Sequence, residues 1–161
     1  MVVMMDMDGN EDGIWLHCSN SAIRRAARQL GQLYDGAMGD TGLRGTQFSL
    51  LSQILLGNEP TQKQLAQAMV MDLSALGHTL KPLIRDGLVE LLPDGSDRRV
   101  RRVRLTAAGA ATQKALVANW QQAQDRFDAA FGKENSEALR KTLALISSPE
   151  FSKAFAAGDK T

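Results

Sequence analysis

Five arginines fall within seven residues, Arg98, Arg99, Arg101, Arg102 and Arg104, with no acid between them. A guanidinium is planar, permanently charged and able to pair with phosphate or carboxylate oxygens two at a time. The cluster therefore suits a polyanion. The net charge of the chain is only +1, so this reading rests on where the charge lies, since a local patch sets the field a phosphate feels. Acids gather instead at the start, as Asp6, Asp8, Glu11 and Asp12. Upstream of the arginines stand two groups of donors. Thr61, Gln62 and Lys63 open one helical pattern, where free backbone N–H groups and a lysine favour a phosphate. Ser74, Ala75, His78 and Thr79 open the next, followed by Lys81 and Arg85.

Enzymatic chemistry has little to work with. His17 and His78 are the only histidines, and neither has the partner spacing of a metal site. No Ser/His/Asp set, paired carboxylate or glycine-rich phosphate loop stands out, so neither an enzyme nor a metal or other cofactor is expected. The single cysteine, Cys18, excludes an internal disulfide and fits a cytoplasmic setting. The first residues lack the basic start and apolar run of a signal peptide. No window approaches the ~18 apolar residues of a membrane span.

The elements that must position these residues follow from periodicity. The 161 residues are 43% hydrophobic but only 5% aromatic, which predicts one domain with an aliphatic core. Residues 1–12 carry no period and are expected to be a disordered arm. A helical stripe runs from Ile14 to about Met38 through Ile23, Leu30 and Tyr34, ended by Gly-Asp-Thr-Gly. Thr46 is read as the N-cap of a second helix, to Leu56. Thr61 caps a third, with Gln64 completing a capping box. Asp72 caps a fourth, Leu73 to Asp86, with Leu76, Leu80, Leu83 and Ile84 inward, a weak turn at Pro82 and Gly87 as the stop. Leu88–Leu92 and Val100–Thr106 form a hairpin around Pro-Asp-Gly-Ser-Asp. Thr106 then caps a long helix ended by Gly132. A last helix covers about Ser136 to Ile146, and Pro149 interrupts before an apolar tail with Phe151 and Phe155. The fold class is mainly α (α+β), in the order α-α-α-α-β-β-α-α. That order reads as a winged helix-turn-helix, residues 46–106, between dimerisation helices at 13–45 and 107–161 whose apolar stripes so small a lobe cannot cover.

Three motifs in this order resemble the MarR family of winged helix-turn-helix transcription regulators: Thr-Gln-Phe-x-Leu-Leu entering the second helix, Leu-x-Arg-Asp-Gly-Leu-Val closing the fourth, and Asp-x-Arg-x5-Leu-Thr-x-x-Gly leaving the hairpin. The resemblance covers about Ile23 to Gly109. It implies a homodimer with interdigitated terminal helices, a recognition helix in the major groove and a wing in the adjacent minor groove. It further implies a repressor on a pseudo-palindromic operator, released by a ligand or an oxidant. Groove geometry agrees: a helix fits where base edges are distinguishable, and a wing arginine suits a narrow, electronegative minor groove.

On this resemblance Asp97 and Arg99 match the wing pair, with Arg99 entering the minor groove and Asp97 holding the wing arginines in place. Of Arg98, Arg101, Arg102 and Arg104, some are expected on phosphate and others on acids such as Glu90. His78 is read either as a donor to guanine or phosphate or as a solvated residue. Leu73, Ala75 and Gly77 depart from the polar pattern of the family and leave more of the discrimination to the wing. The expected partners are double-stranded DNA, a second copy of the chain and a small aromatic or phenolic effector, with Trp15, Ile23, Tyr34 and Phe48 as candidate pocket residues. Cys18 is a redox candidate because some family members sense hydroperoxides from the first helix. Counting back from Tyr34, however, that cysteine belongs near position 20, where this chain has Asn20, and the competing reading is a small helix residue at the dimer seam. The alternative function, a winged module whose basic hairpin binds an acidic protein partner, stays open at this point.

Overall fold

The computed structural model describes residues 17–158. The arm expected over residues 1–12 and the candidate Trp15 lie outside them. Seven α-helices and two strands follow one another as α1 (Ser19–Ala37), α2 (Gly45–Gly57), α3 (Gln62–Ala68), α4 (Leu73–Arg85), β1 (Val89–Pro93), β2 (Arg101–Leu105), α5 (Ala107–Phe131), α6 (Lys133–Ile146) and α7 (Pro149–Ala157), with a 3-10 turn at Gly39–Thr41. The seventh helix corrects the expected order. Pro149 starts a helix where the sequence reading had it interrupt one. At the first helical position its missing N–H is no loss, and Ser148 caps the turn by accepting the Phe151 N–H at 3.1 Å.

Local chemistry explains most boundaries. Thr61 Oγ1 accepts the Gln64 N–H at 3.1 Å while Gln64 Oε1 accepts the Thr61 N–H at 2.8 Å, the expected capping box. Asp72 Oδ1 takes the Ala75 N–H at 2.7 Å. The N-cap of α2 is Arg44 rather than Thr46, and Gln47 Oε1 reaches back to the Arg44 N–H at 2.9 Å. Asp35 Oδ1 accepts the Gly45 N–H at 2.7 Å, so a side chain from α1 closes the first turn of α2. α1 begins only at Ser19, capped by Cys18. α4 runs through Pro82 to Arg85 without a break.

The core lies inside the winged lobe. Leu50, Leu51 and Ile54 of α2 pack with Leu65 and Ala66 of α3, Leu76, Leu80 and Leu83 of α4, and Val89 and Val103 of the strands. Ile84 is not part of it. Leu76, Leu80 and Leu83 define the stripe, and Ile84 falls at its edge, half open to solvent. A second cluster, Met38, Phe48 and Leu116 with Trp120 against it, ties α1 and α2 to α5.

The strands pair antiparallel, Val89 with Leu105 through Pro93 with Arg101. Where the hairpin leaves the lobe, the Thr106 N–H donates to Leu88 O at 3.1 Å and Thr106 Oγ1 caps α5 at Gly109. A Cβ at Gly109 would stand 1.9 Å from Leu88 O. The Leu-Thr-x-x-Gly motif is thus a packing requirement, since only glycine lets α5 start against the entry to β1 at Leu88.

Candidate nucleic-acid interface

α4 presents two opposite faces. At about 100° per residue, Ser74, His78, Lys81 and Arg85 fall within about 60° of one another, and Leu76, Leu80 and Leu83 fall on the other side. The buried leucines anchor the helix, and the polar four project outward, all exposed. Ala75 and Thr79 flank this face and are half-buried. The Thr79 hydroxyl donates to Ala75 O at 3.0 Å, within the helix itself. Arg85 is paired with its neighbour Asp86, Nε to Oδ1 at 2.8 Å in solvent, so a phosphate would have to compete for it. Thr61, Gln62 and Lys63 open α3, with Lys63 exposed. The turn between α3 and α4 places Val70 at φ 51, a left-handed conformation that costs a β-branched residue about 1 kcal/mol or more.

The hairpin divides its five arginines by role. Arg98, Arg99 and Arg101 are exposed, and no ion pair holds them among the described residues. Arg102 and Arg104 are tied into the fold. Arg104 stands across the ladder from Glu90 and bonds it at 3.0 Å, with Glu59 at 3.5 Å, the cross-strand pairing anticipated for Glu90. Arg102 Nε donates to Asp94, and its Nη1 donates to Glu59 O at 2.8 Å. Glu59 belongs to the turn from α2 to α3, where Asn58 and Glu59 both take positive φ. The Val103 N–H also reaches this turn, at Pro60 O, 2.8 Å away. Through Arg102 and Val103 the hairpin is fastened to the start of the helix-turn-helix.

This corrects the role expected of Asp97. Its Oδ1 accepts the backbone N–H of Arg99 at 2.9 Å and shapes the hairpin tip, and it holds no guanidinium. Besides Glu90 and Glu59 on Arg104, the carboxylate that does so is Asp94, on Arg102; it is 8% exposed. Asp94 Oδ1 takes the Ser96 hydroxyl at 2.5 Å, the Ser96 N–H at 2.8 Å and the Asp97 N–H at 3.2 Å, while Oδ2 takes Arg102. The Ser96 hydroxyl and N–H, then the Arg102 guanidinium and the Asp97 N–H, hold its carboxyl well below the usual carboxylate range. Asp94 was missed in the sequence, although an Asp two residues before Ser96 in Pro-Asp-Gly-Ser is the signature of a side chain bonding its own turn.

Away from this surface, a recess of about 210 Å³ opens between α1, α2 and α5, walled by Leu30, Tyr34, Asp35, Met38, Phe48 and Trp120 among others. Tyr34 and Phe48 both wall this recess, and Trp120 joins them. Ile23 does not: it lies about three turns earlier on α1, exposed. The Tyr34 hydroxyl donates to Gln124 Oε1 at 3.0 Å. Burial, and then the charge of Asp128, push its pKa above the usual phenol value, so it stays neutral. Cys18 is not the helix residue the sequence reading placed at a seam. It is the half-buried N-cap of α1, and its Sγ accepts the Ser21 N–H at 3.4 Å. No helix among the described residues is long and apolar enough to cross a membrane.

Comparison with known proteins bears on this geometry. The model of the MarR family matches residues 41–100, from the turn before α2 through the hairpin tip. The M. tuberculosis transcriptional regulator MosR, solved in complex with DNA, is 35% identical with a TM-score of 0.75, over 85% of this chain and 97% of MosR. The transcriptional repressor CouR, bound to a 23-mer DNA duplex, is 26% identical with a TM-score of 0.72, over 88% of this chain and 100% of CouR. A probable transcriptional regulator from Pseudomonas aeruginosa is 25% identical with a TM-score of 0.69, over 79% of this chain and 95% of its own. A search of curated proteins finds no match. With a winged lobe, an outward polar face on α4, a hairpin of unpaired arginines and this degree of likeness to MosR, the chain belongs to the MarR family of transcriptional regulators and is a DNA-binding regulator.

Proposed function

We propose that the chain works as a homodimeric repressor on a pseudo-palindromic operator and leaves it when a small effector binds. The observation that carries this reading is the pairing of two cationic surfaces on one lobe, the Ser74/His78/Lys81/Arg85 face of α4 and the unpaired Arg98, Arg99 and Arg101 of the hairpin. α4 enters the major groove, where Ser74 and His78 meet base edges or phosphate. Thr61, Gln62, Lys63, Lys81 and Arg85 contact the backbone, and the hairpin reaches the neighbouring minor groove through Arg99. Ala75 and Thr79 flank the groove-facing side and add shape. In a two-fold dimer the two α4 helices address half-sites one helical turn, about 34–36 Å, apart.

Support for the dimer comes from apolar side chains on the terminal helices that are exposed among the described residues, including Leu145 at 62% and Phe155 at 78%. The recess behind Tyr34 and Trp120 touches α1, α2 and α5, so a ligand there bears on both the terminal helices and the lobe. It releases DNA if it favours a lobe spacing that misfits the half-sites. We assign release to a ligand rather than to Cys18, whose thiol is engaged as a helix cap.

A mobility-shift titration on the region upstream of the chain's own gene tests the reading. Selective binding is expected, with a steep salt dependence. Arg99→Ala should weaken it about tenfold and lower the salt slope by about one unit. Absence of sequence-selective binding at low salt sinks the proposal. Unchanged affinity in the Arg99 variant takes the hairpin out of it.

A further inference from the structure

The recess that the proposed function uses has a chemical bias of its own. The chain holds two tryptophans and one tyrosine, and Trp120 and Tyr34 both wall this cavity, with Phe48 beside them. Tyr34 is fixed by its bond to Gln124, so its neutral ring is held in the wall. Asp35 is the one charged residue among those lining the cavity; no lysine, arginine or histidine is among them. One Asp35 oxygen serves the Gly45 N–H at 2.7 Å. The other has no hydrogen bond or ion pair among the described residues. On the far side of Trp120 a neighbouring recess of about 320 Å³ is lined by Ser52, Gln53 and Gln113, again without a cation. Arg126 lines an adjoining apolar groove that shares Leu30 and Tyr34 with the recess, and is not among the residues walling the recess itself.

An anion entering this cavity would be desolvated beside a half-buried carboxylate with no cation to receive it, which is costly. A cation meets the opposite situation, a carboxylate oxygen to pair with and the negative faces of aromatic rings around it. We propose that the recess takes an organic ammonium ion with an apolar body of about the size of a benzyl group, and that Asp35 selects for its charge. The Asp35 carboxylate pairs with the ammonium, Trp120 and Tyr34 contribute ring faces, and Leu30, Met38 and Phe48 cover the apolar part. Asp35 thereby serves twice, as the cap of α2 and as the counter-ion. A cation drawn to it pulls on the junction of α1 with the lobe. This inference rests on reading the recess as the effector site.

The test is calorimetric titration of the full-length protein with three probes of similar size: benzyltrimethylammonium, N-benzylacetamide and phenylacetate. The ammonium is expected to bind at least about tenfold more tightly than either of the others. Asp35→Asn keeps an amide oxygen for the Gly45 N–H and so should keep the fold. It should cost the ammonium about tenfold while leaving the amide within about twofold. Trp120→Ala should abolish ammonium binding, which places the heat in this recess. Phenylacetate binding as tightly as the ammonium, or an Asp35→Asn variant that binds the ammonium unchanged, overturns the charge assignment. Binding that survives Trp120→Ala also overturns it, by putting the site elsewhere. A parallel mobility shift separates the two claims: if saturating ammonium binds in the recess but leaves the DNA complex intact, the effector reading fails while the charge preference holds.

Discussion

The winged lobe builds a contiguous apolar core from its own elements, whereas α1, α6 and α7 bury almost nothing. In the lobe, ten residues from α2, α3, α4 and the two strands form one buried cluster. α1 and α7 contain no fully buried residue, and in α6 only Ser136 is buried. Leu33, Leu143, Leu145, Phe151 and Phe155 all face outward. The difference teaches that the two regions obey different energetics. At roughly 25 cal/mol per Å² of apolar surface buried, the lobe gains its stability within one chain. The terminal helices keep an equivalent gain unrealised until something covers them. The DNA-contacting unit is therefore self-sufficient, and the part that would set the distance between two such units is not.

The sharpest way to break the lobe side of this comparison is at its exit. Gly109→Ala puts a Cβ where Leu88 O stands, 1.9 Å away by the present geometry. Either the entry to β1 or the start of α5 must move, and the Thr106 bonds to Leu88 and Gly87 move with it. Thermal or urea unfolding should show a loss of about 3 kcal/mol, at the upper end of overpacking effects. An unchanged melting temperature would mean that the junction is loose and the motif is not a packing requirement.

The terminal helices should fail differently. Leu145→Asp combined with Phe155→Asp places charge on surface that is 62% and 78% exposed in the single chain. The chain itself loses little by this, within about 0.5 kcal/mol per site. The proposed dimer should dissociate, seen by sedimentation as a halved mass. Affinity for a two-half-site operator should then fall by about a hundredfold, because the second half-site is no longer held at high effective concentration. Hydrogen-exchange protection of α2 and α4 should persist. Loss of that protection together with the dimer would erase the distinction between the two regions.

What could be read from the sequence follows the same division. Elements with local determinants were legible: Thr61 with Gln64, Asp72, Gly87, Thr106 and the leucine stripe of α4 each act within one or two turns of chain. The hairpin was legible from its Asp-Gly turn, the resemblance added roles for Asp97 and Arg99, and the cross-strand position of Glu90 opposite Arg104 was accessible from the hairpin register. Part of what escaped depends on contacts far apart in sequence. The strand period of two sets Arg102 and Arg104 on the face opposite Arg101, but does not show that Arg102 meets Glu59, 43 residues earlier. Trp120 reads as one more apolar position of α5 until α1 and α2 are packed against it. Pro149 was misread because the same residue both ends and begins helices, and only the Ser148 cap decides between them.

A smaller effect separates the two kinds of wing arginine. Asp94→Asn keeps a carbonyl oxygen for the Ser96 and Asp97 N–H groups but removes the charge that holds Arg102. The hairpin should loosen against the turn at Glu59, and DNA affinity should fall by less than for Arg99→Ala, by about threefold. The salt slope should not drop and should rise if the freed Arg102 finds a phosphate, by at most about one unit. The acid limb of stability gives an independent readout. The native carboxyl of Asp94 is held below its usual value, chiefly by Ser96. Its contribution is therefore complete above the unfolded pKa of about 3.9 and is lost as the pH falls from there through the lower native value. Wild type and Asp94→Asn should show parallel stability against pH from neutrality down to about pH 5, and below that the wild type should lose stability more steeply. Parallel curves throughout the acid range would mean that Asp94 gains nothing from folding, and the hairpin would then owe its placement to its other bonds to Glu59 and Pro60.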